Sequence, residues 1–128
     1  MITALWVMKG ILTFVFLLAG FSKMFQTKEK VIATAGKWAE DFTETQIRLI
    51  GFAEAVLAVL LVVPKLLGHG YFLTSAAAFG LVIIMAGAAY THFRRNEFPL
   101  LIINIVFLLM ALFIAFLTCP LMQHWDYV

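Results

Sequence analysis

The stretch LLIINIVFLLMALFIAFLT, from Leu100 to Thr118, decides the fold, because Asn104 is its one polar side chain before the closing threonine. Nineteen residues at 1.5 Å each reach about 28 Å, close to the ~30 Å thickness of a bilayer's hydrocarbon core. The run shows no alternation of polar and apolar residues, so it does not read as a barrel strand. In lipid it has to be a helix, whose backbone groups satisfy one another. Working outward, three further runs have the same character: Ala4 to Phe25, Ile47 to Val63 and Tyr71 to Thr91. The whole chain of 128 residues agrees, being 64% apolar and only 12% charged, against roughly half and a quarter in soluble domains. The expected architecture is all-α: a polytopic membrane protein forming one domain over residues 1–128, a bundle of four transmembrane helices.

The connections add detail. Pro64 to Gly70 is short, with a proline to stop the second helix and glycines to turn the chain, so the second and third helices are expected to be antiparallel neighbours. Gln26 to Gln46 is longer. There Val31, Ala35, Trp38 and Phe42 recur at helical spacing, while Lys28, Lys30, Lys37 and Glu40 occupy the polar side. This predicts a short interfacial helix between helices 1 and 2, anchored at the headgroups or, alternatively, covering the bundle mouth as a lid. Thr43 and Gln46 have the spacing of a capping box for the second helix. The first run has no basic lead-in and no small-residue cleavage site, so it reads as a retained span.

Basic residues orient the bundle. The end holding both termini carries Lys9 and Lys65, and the other carries Lys23, Lys28, Lys30, Lys37, Arg48, Arg94 and Arg95. Cytoplasmic ends are enriched in Lys and Arg, so the second, basic end is expected to be cytoplasmic and both termini to lie outside, as for a protein of the bacterial inner membrane. Trp6, Tyr71, Trp125 and Tyr127 at one boundary, with Trp38 and Tyr90 at the other, read as interfacial anchors. A net charge of +2 without a basic tract gives no support to nucleic-acid binding.

Depth places the polar exceptions together. Lys23 ends the first run, Glu54 lies about 9 Å beyond Arg48, His92 ends the third run, and Asn104 lies about 7 Å beyond Pro99. All four belong to one layer near the basic end. An unpaired Glu54 against lipid would cost on the order of 3 kcal/mol, so it is expected to face inward and to find Lys23, with His92 and Asn104 as further hydrogen-bonding groups. Burial could instead keep Glu54 protonated and make it a proton donor. A plain polar clasp between helices, with bonds of about 0.6 to 2 kcal/mol, is the structural alternative. Around the layer lie Gly51, Ala55 and Ala58; Leu108, Ala111 and Ala115; and Ser75, Ala76, Gly80, Gly87 and Ala88. These favour close helix packing and leave open a pocket for a lipid tail or a flat ring.

Three segments carry a family resemblance. Ala19-Gly-Phe-Ser-Lys23, then Gly51-Phe-Ala-Glu54 followed by an apolar stretch and Pro64, then Ala89-Tyr-Thr-His92 together resemble the DoxX-like family of small four-helix membrane proteins. The resemblance implies functional polar positions at Lys23, Glu54 and His92, to which depth adds Asn104. It does not imply one activity. Members are linked to sulfur or quinone redox enzymes and to oxidative-stress complexes, and an animal branch includes the receptor chaperone NACHO.

Self-contained chemistry finds little support. Cys119 is the single cysteine, which excludes autonomous dithiol exchange. His69 and His124 fall at the opposite end from His92, so no metal centre is expected. Phosphate-binding loops, nucleophile elbows and zinc spacings are missing from the sequence. The preferred reading is a non-enzymatic or chaperone-like membrane protein that binds a lipid-like small ligand, a partner membrane protein or a second copy of itself through the Lys23/Glu54/His92/Asn104 layer. The alternative is a membrane subunit of a quinone-linked redox complex, with Glu54 and His92 as its proton relay.

Overall fold

A computed structural model describes residues 2–68 and 72–119. The expected anchors Tyr71, Trp125 and Tyr127, with His69 and His124, lie outside the described residues. The chain forms α1 (Ile2–Phe25), α2 (Lys28–Ala35), a 3-10 helix (Lys37–Asp41), α3 (Glu44–Leu67), α4 (Phe72–Arg94) and α5 (Phe98–Leu117). Of these, α1, α3, α4 and α5 are long and apolar enough to cross a bilayer. The protein is an integral membrane four-helix bundle.

The principal packing partners are α1 with α3 and α4 with α5, and contact of α3 with α4 joins the two pairs. Leu5, Leu12 and Phe16 of α1 meet Ala58 and Leu61 of α3, Ala77, Ala78 and Leu81 of α4, and Ala111, Ile114 and Ala115 of α5 in one core. Alanines on three of the four helices let the backbones approach closely, the usual means of association where lipid removes any hydrophobic drive. Phe14, Leu18, Phe52, Ile83, Ile102 and Leu109 are exposed on the outside, where acyl chains belong.

The closest approach is between α1 and α3. A Cβ added to Gly20 would lie 2.5 Å from the Gly51 carbonyl, and one added to Gly51 would lie 2.6 Å from the Gly20 carbonyl and 2.7 Å from the Lys23 Cβ. Only glycine at both positions lets these backbones touch. Nearer the core, the Thr13 hydroxyl donates to the Ala58 carbonyl at 3.1 Å, and Ser75 reaches from α4 to the Ala115 carbonyl at 3.0 Å.

Four expectations are revised. Pro64 does not stop the second span, because α3 continues to Leu67 and ends at Gly68 in the left-handed region (φ 79°). Proline removes one backbone donor, the one that would have served the Leu60 carbonyl. The Thr74 hydroxyl of α4 takes that place at 3.3 Å, so the helix runs on without an abandoned carbonyl. Lys9, counted among the basic residues at the end that holds the termini, is turned into the bundle: it lies within α1, 2% exposed, with its ammonium 4.7 Å from the Trp6 ring centroid. Ala76 is exposed and contributes nothing to the interior surface.

The fourth revision concerns residues 26–46. The expected single interfacial helix is divided into α2 and the 3-10 helix at Gly36, whose φ of 130° suits glycine alone. The break turns Val31 and Ala39 inward onto Ile47 of α3, with Ile32, Trp38 and Phe42 around them. Thr27 caps α2 by accepting from the Lys30 amide, and Thr43 with Gln46 forms the expected capping box on α3. The segment is thereby fixed across the basic end of the bundle.

Candidate functional site

The α1–α3 crossing determines the centre of the site. With Gly20 against Gly51 in this antiparallel pair, the Lys23 backbone lies beside Gly51 and Ala55, next to Glu54, lies beside Gly20; the lysine side chain spans the offset, and Lys23 Nζ lies 2.5 Å from Glu54 Oε1. Glu54 is 1% exposed and Lys23 14%. The Trp38 ring covers the same ammonium, 5.2 Å from Nζ to the centroid. This cation–π contact adds to the ion pair where water is excluded.

His92, in the last turn of α4, is buried with its ring edge-on to Trp38, centroids 6.4 Å apart. Its Nδ1 is 2.8 Å from Glu97 Oε1. The turn between α4 and α5 makes this reach possible, because Asn96 takes a left-handed conformation (φ 56°) and folds Glu97 back on the helix end. Asn104, in the second turn of α5, has its Nδ2 buried without a hydrogen-bond partner, as is Glu54 Oε2.

Lys23, Glu54, His92 and Asn104 all line one cavity of about 500 Å³, walled for the rest mostly by apolar side chains such as Phe16, Ile84, Met85 and Phe107, with Ser22 and Thr91 among them. The four residues that depth reasoning put in one layer thus line one space. That reasoning missed their division: Lys23 pairs with Glu54, while His92 turns to Glu97, and no hydrogen bond joins the two pairs among the described residues. Glu97 was absent from the expected set because it follows Arg94, Arg95 and Asn96 in a stretch that reads as solvated. Trp38, read both as an interfacial anchor and as part of an apolar stripe that could cover the bundle mouth, roofs both pairs, and Ala35 and Phe42 line the cavity beside it.

Arg95 fastens this roof. Its guanidinium lies 3.0 Å from Asp41 and 2.9 Å from Glu40 on the 3-10 helix, and 3.5 Å from Glu97. Hydrogen bonding to Asp41 and then Glu40 raises its pKa above the ordinary arginine value, so the latch stays charged.

Comparison with known proteins places this geometry. A family model described as the DoxX-like family matches residues 7–114. The chain belongs to the DoxX-like family. Neither the curated proteins nor the solved structures give a match. The matched region of this DoxX-like chain contains the glycine crossing, both acid–base pairs, the Trp38 roof and Asn104. Each of the three sequence segments that carried the resemblance contributes residues to the cavity wall: Ala19, Ser22 and Lys23, then Glu54, then Thr91 and His92.

Proposed function

We propose that this DoxX-like protein binds a small amphipathic ligand within the membrane, in the cavity beneath residues 28–41, and is not a self-contained enzyme. One observation carries this: two buried polar atoms, Glu54 Oε2 and Asn104 Nδ2, have no protein partner and belong to residues on the wall of a largely apolar cavity. A purely structural clasp would gain from satisfying both, since a buried unpaired polar group costs about 1 to 3 kcal/mol. A ligand supplies the missing bonds, and the apolar walls receive its tail. The cavity volume falls within the ordinary range for small-molecule sites.

The basic end is assigned to the cytoplasm of a bacterial inner membrane, with both termini outside. With Lys9 and Lys23 turned into the bundle, the remaining Lys and Arg divide six (Lys28, Lys30, Lys37, Arg48, Arg94, Arg95) against one (Lys65), which supports that orientation.

The quinone-linked redox reading is favoured by a separate observation. His92 and Glu97 form a pair at the cavity rim, with the Glu97 side chain 21% exposed, an arrangement able to pass a proton between cavity and solvent. Native mass spectrometry of protein extracted gently from its own membrane separates the readings. A bound small mass lost in Glu54→Gln but kept in Glu44→Gln supports ligand binding, and a quinone mass supports the redox subunit. A chain without ligand, or a complex with another protein or a second copy that ignores the Glu54 substitution, contradicts both.

A further inference from the structure

The polar inventory of the cavity restricts the head group it takes. Ser22 Oγ donates to Gln26 Oε1 at 3.0 Å, Thr91 Oγ1 to the Gly87 carbonyl at 3.1 Å, and Trp38 Nε1 to the Ala35 carbonyl at 3.2 Å. Lys23 engages Glu54 Oε1, and His92 Nδ1 engages Glu97. Among the polar atoms of the wall residues, the second oxygen of Glu54 and the amide nitrogen of Asn104 are the ones buried without a partner.

Charge restricts it further. Lys23 is the one Lys or Arg on the cavity wall, and it is neutralised by Glu54; their sum is zero whichever of them holds the proton. At the roof, Arg95 already faces Glu40, Asp41 and Glu97. An anionic head would meet the Glu54 carboxylate with no free cation to receive it, and a cationic head would meet the Lys23 ammonium. Either would carry the desolvation cost of a buried, unpaired charge.

We propose that the cavity takes an uncharged amphiphile whose head is a hydroxyl or a primary amide, with Glu54 Oε2 and Asn104 Nδ2 as the polar atoms available to it. This narrows the ligand class of the site proposed above and rests on its being a ligand site. A hydroxyl donates and accepts through one atom, so it suits a carboxylate oxygen as donor and an amide N–H as acceptor, and it still serves if Glu54 carries the proton. At about 30 Å³ per water-sized group, the cavity of about 500 Å³ holds a ligand with on the order of 15 heavy atoms. That matches a medium-length chain with a single small head.

The test uses the wild-type protein in phosphatidylcholine nanodiscs at alkaline pH and three bromine-tipped probes of equal length: undecanol, undecanoate and undecyltrimethylammonium. Bromine quenches nearby indoles, and Trp38 lies on the cavity wall. Bromo-undecanol is expected to quench saturably, at least tenfold more tightly than either charged probe, with the saturable part lost in Trp38→Phe and weakened several-fold in Asn104→Leu. Equal or tighter binding of a charged probe overturns the uncharged head while leaving a ligand site in place. Only linear, lipid-like quenching by all three removes the ligand site as well.

Discussion

Lys23 and Glu54 are held 2.5 Å apart with Glu54 almost wholly buried, so their removal is predicted to be strongly non-additive. Lys23→Met alone strands a carboxylate and is expected to cost about 3 kcal/mol, whereas Lys23→Met with Glu54→Leu recovers most of that loss. Unfolding in mixed micelles measures both. Asn104→Leu behaves differently, because its buried amide nitrogen has no partner to lose. It is predicted to leave stability unchanged or raised while weakening ligand binding, and a clear loss of stability would show that Asn104 holds the bundle together. The identity of these residues was legible in the sequence because polar groups in an apolar run are conspicuous and rise per residue gives their depth. Their pairing was not, since depth says nothing of the direction in which a side chain leaves its helix. That direction is what sends His92 to Glu97 and not to Glu54.

Among the elements, the α1–α3 crossing is the one that creates the site. Gly51→Ala introduces a methyl 2.6 Å from the Gly20 carbonyl and 2.7 Å from the Lys23 Cβ, so the backbones have to separate. The expected cost is about 1 to 3 kcal/mol of overpacking, accompanied by weaker probe quenching at Trp38. Along α3, Pro64 and Thr74 form a second testable unit. Thr74→Val is predicted to cost on the order of 1 kcal/mol, and much less in a Pro64→Ala background, where the Leu60 carbonyl regains its own helical donor. Additive effects would disconnect the two. Sequence periodicity found the amphipathic segment over residues 26–46 but not its shape, because a helical repeat of apolar residues continues across Gly36 even where the backbone does not. Likewise a proline reads as a stop unless the hydroxyl that compensates it, on another helix, is known. The roof depends on Arg95, and Arg95→Gln is predicted to speed hydrogen exchange over residues 28–41 several-fold while leaving the four spans protected.

At the scale of the whole molecule, four apolar runs were enough to specify a membrane bundle, because the bilayer permits few solutions for such a chain. The cavity was not specified in this way. The same small residues that pack helices tightly also leave space, and only the arrangement of all four spans and the roof decides which. The central claim is that Glu54 and Asn104 keep hydrogen-bonding capacity for a ligand. It is tested most directly by an experimental structure of the protein in its native lipid, at a resolution that shows side chains. The account predicts elongated density in the cavity beneath Trp38, its polar end within hydrogen-bond distance of Glu54 Oε2 and Asn104 Nδ2. A closed cavity, with these two atoms bonded to other side chains of the protein, would contradict it.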